Sequence, residues 1–345
     1  MTSRRSFLTG VAASTGAILT GAEPPAPVRR IRLGFLGAAY SHFQGKYDVA
    51  LRSPDFEVIG VCEENPEVRQ RRSPSLRWMS FPDLAPSCEA LVIESEVRRH
   101  APDALRALEA GKHVHIEKPP ASSMAAFEDI LNLAAQHRRV IQVGYMWRYN
   151  PGLNALLEAG RDGTFGEIFS VRATMNTLAD AESRRDWAEF PGGAMFEQGC
   201  HLTDAVVRLL GRPDRVTPYL QELGRPADAL ADNTVAILEY PRCLAVISSA
   251  PRQPHANPHR FLEITGTRGT GRLQPVEPPR LVLETVPTGG NNEPVRSEPR
   301  FPEYRRYVDD FTAFAAAIRG ERPLAVPPAT ERLVHETVLR ACGMV

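Results

Sequence analysis

The stretch Arg30-Ile31-Arg32-Leu33-Gly34-Phe35-Leu36-Gly37-Ala38-Ala39-Tyr40-Ser41-His42 reads as a strand over 30–36 that runs into a tight turn. Its apolar residues form a short run rather than a clean alternation, which suits a buried strand. A dinucleotide-binding turn would place glycines at 37, 39 and 42. Only Gly37 is present; Ala39 and His42 stand at the other two positions. Gly37 still permits the tight turn, and Ala39 is the smallest substitute where the backbone must approach a pyrophosphate. Ala38, Tyr40, Ser41 and His42 complete the candidate cofactor turn, with Ser41 and His42 adding side-chain donors at a helix N-terminus. Taken alone, the same turn also serves an ordinary strand–helix connection.

Moving outward, further strands are expected over 56–61, 90–93, 113–116 and 140–144, with helices over 101–110 and 124–136. Strands alternating with helices of this length imply βαβ units and a parallel sheet. Glu63 ends the second strand, where an acid accepts hydrogen bonds from the adenosine ribose hydroxyls. That favours NAD over NADP, because a carboxylate repels a 2′-phosphate. Arg69, Arg71 and Arg72 nearby soften the preference and keep NADP as the alternative. The plain structural reading of Glu63 is a solvated loop acid before Asn65-Pro66.

Composition bounds the rest. The chain has 345 residues, 43% of them apolar and 24% charged, so it can build a sizeable core. Lys plus Arg and Asp plus Glu are 41 each, which leaves no electrostatic footprint for nucleic acid. Five cysteines without a CxxC pair argue against a zinc ribbon or a disulfide framework. Ser3-Arg4-Arg5-Ser6-Phe7-Leu8 is a twin-arginine pattern followed by a mildly apolar stretch. Residues 1–27 therefore read as a Tat signal and spacer, and the location as periplasmic or secreted. No later segment reaches membrane-spanning length, so the mature protein is expected to be soluble.

Three further blocks carry a resemblance. They are Ala107-Leu108-Glu109-Ala110-Gly111-Lys112-His113-Val114-His115-Ile116-Glu117-Lys118-Pro119, then Val143-Gly144-Tyr145-Met146-Trp147-Arg148-Tyr149-Asn150-Pro151, then Gly192 to Asp204. Together they resemble the glucose–fructose oxidoreductase/inositol dehydrogenase (Gfo/Idh/MocA) family over about residues 30 to 345. The resemblance implies an α/β chain: a Rossmann domain over 28–148, then an α+β domain over 149–328 with a large, mostly antiparallel open sheet. A C-terminal helix over 329–345 would pack back near the first domain. Strands are expected over 167–174, 234–240, 243–249 and 261–266, and a helix over 304–319. The free sheet face would make a homo-oligomer, a dimer or tetramer.

The resemblance also implies chemistry. Family members bind nicotinamide between the domains and transfer hydride at a carbinol carbon. His201 matches the catalytic His of the family, and Lys118 matches the Lys of the EKP turn. Glu197 stands where the family usually has Asp. It lies four residues before His201, so on a helix the two side chains can meet. It could orient His201, touch substrate or take the proton itself. Asp204 lies on the same face and would fix His201 or bind a substrate hydroxyl. Glu94-Ser95-Glu96 stands where many members carry Ala-Thr-Pro; Ser95 would replace the Thr that meets the cofactor, and Glu96 is a departure that the sequence does not explain. His100 and Glu117 are placed near the cofactor, Glu117 chiefly as an anchor of the Lys118 turn. Arg148, Tyr149 and Trp187 are candidate substrate contacts, with core packing the plain alternative for the two aromatics. Glu197, His201 and Asp204 also have the i, i+4, i+7 spacing of a metal site, but the family match already explains them and no metal is expected.

An exported member has little free NAD to exchange with, so its cofactor is expected to be tightly held. The substrate is then a carbohydrate or polyol, oxidised against a second substrate. The alternatives are transient oxidation that enables glycosidic elimination or epimerisation, and a non-catalytic sugar-binding protein.

Overall fold

A computed structural model describes residues 29–224, 226–286 and 293–345; the twin-arginine segment lies outside them. The chain begins β1 (Ile31–Leu36), α1 (Phe43–Arg52), β2 (Phe56–Cys62), α2 (Pro66–Arg71), α3 (Phe81–Ser87), β3 (Ala90–Ile93), α4 (Val97–Glu109), β4 (His113–Ile116), α5 (Met124–Gln136) and β5 (Ile141–Val143). The five strands are parallel in the order β2-β1-β3-β4-β5. β3 is buried at every position, as its unbroken Ala-Leu-Val-Ile run requires in a sheet covered on both faces. The C-terminal ends of β1, β3 and β4 converge where the order reverses, which is where open α/β sheets bind ligands.

A short turn over Met146–Tyr149 leads to α6 (Pro151–Arg161). Asn150 caps that helix by accepting from Leu153 N at 3.0 Å, with Pro151 in the first turn. Then follow β6 (Ile168–Thr174), α7 (Ala181–Trp187), a wide π-helical turn at Met195–Gly199 and α8 (Cys200–Leu210). Six strands succeed them: β7 (Arg215–Gln221), β8 (Asn233–Tyr240), β9 (Cys243–Ser249), β10 (Phe261–Gly266), β11 (Gly269–Leu273) and β12 (Leu281–Thr285). β13 (Val295–Ser297), α9 (Val308–Arg319) and α10 (Pro328–Ala341) complete the chain. The second sheet has eight strands in the order β13-β12-β11-β10-β6-β9-β8-β7, antiparallel except for β6 beside β9. The fold class is therefore the expected one, a parallel Rossmann-type sheet followed by a larger, mostly antiparallel sheet.

On β8, Thr234, Ala236 and Leu238 are buried while Val235 and Ile237 are only partly covered. Helices α6 and α8 cover the buried face. On the other face Tyr219 and Leu244 are 54% and 53% exposed. Val308–Arg319, inside the 149–328 unit drawn above, packs on the five-stranded layer: Phe311 meets Phe56 with ring centroids 5.6 Å apart, and Asp310 accepts from His115 Nε2 at 3.0 Å. α10 meets α5 through Phe127 and His335, whose rings lie 4.5 Å apart.

Candidate active site

The turn after β1 is built by its single glycine. Gly37 has φ +85°, and a Cβ there would lie 2.3 Å from Ser95 N, so no side chain fits. Ala38 N–H donates to Glu63 Oε2 at 2.8 Å, and Asn65 N–H to Glu63 Oε1 at 2.8 Å. Glu63 thus braces the turn from the end of β2, where a ribose would sit. The amides of Ala39 and Ser41 find no acceptor among the described residues, so they are free for an anion. Arg72, named above only for its bearing on NAD against NADP, reaches over the turn: its Nε donates to Ala38 O at 2.7 Å and its Nη2 to Tyr40 O at 3.2 Å.

The EKP turn meets the π-helical turn across the two halves of the chain. Lys118 Nζ donates to Glu197 Oε1 and to Glu197 O, both at 2.7 Å. The Tyr40 hydroxyl donates to Glu197 Oε1 and lies 2.9 Å from Lys118 O. All three side chains are buried, Lys118 to 3% exposure and Glu197 to 6%. Burial alone would discharge Lys118, but Glu197, ahead of its other neighbours, holds the ammonium above its ordinary range. Burial, then the Glu197 charge, pushes the Tyr40 phenol far up, so it remains a donor. Tyr40 was assigned above to the cofactor only; it also belongs to this charged cluster.

Glu197 and His201 share no hydrogen bond, although their spacing suggested one. The carboxylate is taken by Lys118 and Tyr40. His201 is 2% exposed and packs between Trp147 and Tyr145, with ring centroids 5.3 and 5.7 Å away; its Nδ1 has no partner. Tyr145 Oη and Trp147 Nε1 are likewise buried without a partner. Burial first, then Lys118, drives the imidazole well below its usual pKa, so it is neutral.

Arg148 and Asp204 meet each other instead of open space. Asp204 Oδ1 accepts from Arg148 Nη2 at 2.7 Å and Nε at 3.0 Å, and Glu331 Oε2 accepts from Nη2 at 2.8 Å. A substrate contact through either would have to displace that pairing. It also separates Asp204 from His201 and Glu197 as a metal site; among the described residues no cluster of His, Cys, Asp or Glu is placed to hold a metal. His100 faces carbonyls with both nitrogens, Pro119 O at 2.8 Å and Ser95 O at 3.0 Å, and so ties the β3 exit to the EKP turn. Ser95 Oγ is buried without a partner.

A cleft of about 460 Å³ runs past these groups. One wall is the turn (Ala39, Tyr40, Ser41) with Arg72; the other is α7 and its flank, including Trp187. Glu197 and Glu96, the residue before α4, also line it. Trp187 therefore faces the same space as the phosphate-type turn. A turn with free amides, tightened at a glycine that admits no Cβ, and a ribose-side carboxylate fit a dinucleotide.

Comparison with known proteins agrees. Residues 31–145 match the family model described as the oxidoreductase family with an NAD-binding Rossmann fold, and residues 153–272 match the GFO/IDH/MocA C-terminal domain. The chain is 27% identical over 194 residues to the dTDP-3,4-didehydro-2,6-dideoxy-alpha-D-glucose 3-reductase of Streptomyces antibioticus, covering 54% of this chain and 59% of that enzyme. It is 26% identical over 246 residues to the trans-1,2-dihydrobenzene-1,2-diol dehydrogenase of Mus musculus, covering 68% and 72%. The solved structure of UDP-N-acetylglucosamine 3-dehydrogenase GnnA from Acidithiobacillus ferrooxidans superposes with a TM-score of 0.76 at 19% identity, covering 92% of this chain and 98% of that one. That likeness concerns the fold.

Proposed function

This chain belongs to the GFO/IDH/MocA family of oxidoreductases, with its NAD-binding Rossmann fold, and from that premise we propose that it oxidises or reduces a carbohydrate or polyol at a carbinol carbon with a tightly held NAD(P). The observation that carries the reading is the buried Lys118–Glu197 pair, whose carboxylate residue lines the cleft. A nicotinamide bound there supplies the hydride acceptor. The residues do the rest. Alcohol oxidation needs the hydroxyl to gain alkoxide character, and a fixed ammonium stabilises that charge in a site with little water. Glu197 holds Nζ in place through two acceptors on one residue, and Tyr40 holds Glu197. His201, Trp147 and Tyr145 offer three unpartnered buried polar atoms beside this cluster, which suits a ligand rich in hydroxyls. The named relatives, a sugar reductase and a diol dehydrogenase, support that substrate class.

Export through the twin-arginine segment, a periplasmic location and a homo-oligomer joined on the free face of the eight-stranded sheet belong to the same proposal. Tyr219 and Leu244 on that face favour burial against a second copy. No helix of the described residues is long and apolar enough to cross a membrane. A retained cofactor is recycled by a second substrate, or by return of the hydride to the same molecule.

The test is denaturing extraction of the purified protein with mass spectrometry of what is released, followed by a panel of aldohexoses and inositols watched through the absorbance of reduced nicotinamide. Nicotinamide released in stoichiometric amount, and reduced by a panel alcohol, supports the reading. A protein that neither holds nor binds nicotinamide overturns it.

Retention has its own signature. Arg71 pairs with Glu182 and Arg98 with Glu189 at 2.8 Å, and both ion pairs bridge the cleft to the α7 side. All four side chains are at least 40% exposed, so each pair is worth about 0.5 kcal/mol and is screened by salt. The variant Glu182→Arg/Glu189→Arg is expected to release NADH about fivefold faster at low salt, with the difference vanishing in high salt. Stopped-flow fluorescence of the cofactor reads this directly, and equal rates at low salt would remove the two pairs from the account.

A further inference from the structure

Two departures from the family pattern, His42 in place of a turn glycine and Glu94 in place of Ala, prove to be joined. His42 Nδ1 lies 3.0 Å from Glu117 Oε1. Lys46, fully buried on α1, donates its Nζ to the same Glu117 oxygen and to Glu94 Oε1 at 2.8 Å. The second oxygen of Glu117 accepts from Lys118 N at 2.8 Å. One buried array therefore runs from the cofactor turn to the backbone of the catalytic lysine.

We propose that His42, oriented by Glu117, is a further acid–base residue of this redox site and accepts the proton that a substrate hydroxyl releases. The inference rests on the oxidoreductase reading above and adds the base that reading needs.

The argument is one of tautomer and access. Burial pushes the Glu117 carboxyl up, but Lys46 and then His42 pull it well below its ordinary range, so Glu117 is an ionised acceptor. His42 Nδ1 must then donate to it, which leaves Nε2 as a bare lone pair. No hydrogen bond occupies Nε2 among the described residues, and the side chain is 16% exposed while Glu117 is fully buried. This is the arrangement of a base held by a third group. His201 lacks it, since no carboxylate meets its Nδ1. Burial lowers the His42 pKa against the pull of Glu117, so the ring is neutral at pH 7 and able to take a proton. The groups that face it are Glu117 from the β4 end, Lys118, Lys46 from α1, the Tyr40 ring at 5.1 Å, the Tyr307 ring at 5.5 Å, and the neutral imidazole of His201. Burial pushes Glu94 up to about 8 against Lys46, so near neutrality the array sets one cation, Lys46, against one anion, Glu117. In the step itself the hydroxyl O–H bond breaks toward His42 Nε2, the carbinol C–H pair leaves as hydride to the oxidised nicotinamide, and the carbonyl forms between them.

The variant His42→Asn keeps an amide donor toward Glu117 and has no titrating nitrogen. In the full-length protein, with NAD+ and the aldohexose and inositol panel, kcat/KM is expected to fall about 100-fold and to lose its decline at acid pH. NAD+ affinity, read by fluorescence, should stay within a few-fold. His201→Asn should keep the acid limb. An acid limb and rate unchanged in His42→Asn overturn this inference and leave the oxidoreductase reading standing, whereas a wild-type protein that oxidises no panel alcohol overturns both. Nitrogen NMR of the wild-type imidazoles decides independently of whether the variant folds: His42 protonated on Nδ1 supports the assignment, and His42 protonated on Nε2 removes it.

Discussion

Lys118→Met is expected to lower hydride transfer by about 1,000-fold and to destabilise the fold by about 3 kcal/mol or more. The two effects have one source. Lys118 Nζ has two acceptors, Glu197 Oε1 and Glu197 O at 2.7 Å, at 3% exposure. Without it the Glu197 carboxylate keeps Tyr40 as its hydrogen-bond partner but has no counter-charge. Losing one partner of a buried pair costs more than the pair ever contributed. On the proposed reading, the rate effect arises because a fixed cation stabilises the developing alkoxide. The double variant Lys118→Met/Glu197→Gln separates the effects. It should recover most of the thermal stability, because no uncompensated charge remains, and none of the rate. Thermal unfolding and single-turnover reduction of bound NAD+ by a panel alcohol read both. A single variant within tenfold of wild type would remove Lys118 from the chemistry.

The legible parts of this molecule are those fixed by local pattern. The strand Ala90–Ile93 stands where its apolar run places it, because burial on both faces leaves no room for polar residues; His113–Ile116 carries two histidines, and the buried His115 is accommodated by Asp310. Gly37 is legible because only glycine tolerates that turn. α4 starts at Val97, four residues before the expected 101, since Pro102 is carried inside the helix rather than opening it. The edge strands were missed for a physical reason. β7 contains Pro218 and β13 is exposed at all three positions; edges tolerate both, and neither shows a core pattern. The residues of the candidate site were named singly, but their pairings were not. Glu197 was matched with His201 four residues on, whereas its partner Lys118 is 79 residues away, and His42 finds Glu117 at a distance of 75. Helical spacing identifies which side chains share a face; it says nothing about which charge arrives from another layer. Lys46 left one usable trace: with Phe43 and Ala50 it forms the buried stripe of α1, and a lysine in such a stripe needs a buried anion.

Arg148→Met is expected to be the most destabilising single change outside the redox cluster, about 3–5 kcal/mol, without a comparable loss of catalytic competence in the molecules that remain folded. The guanidinium is 7% exposed and holds two carboxylates, Asp204 on α8 and Glu331 on α10, while packing 4.7 Å over the Tyr145 ring. It thereby ties the turn between the two sheets to both helices, and such a cost consumes a large share of ordinary domain stability. Arg148→Lys should rescue little, because one ammonium cannot reproduce a fork that serves two acids. The pH dependence gives the sign. Burial, opposed by Arg148, already raises the Glu331 pKa above its usual value. A carboxyl with a raised pKa binds its proton more tightly in the folded state, so its contribution is present below the unfolded value near 4.5 and is lost as pH rises through the folded value. Removing Arg148 takes away the opposing influence and raises that pKa further. The deficit in Tm of Arg148→Met should therefore narrow as pH is lowered from about 8 to about 5. A substrate-contact role makes the opposite prediction: an unchanged Tm with a raised KM. Calorimetry across that pH range, beside KM for a panel alcohol, distinguishes a buried strut from a hand on the substrate.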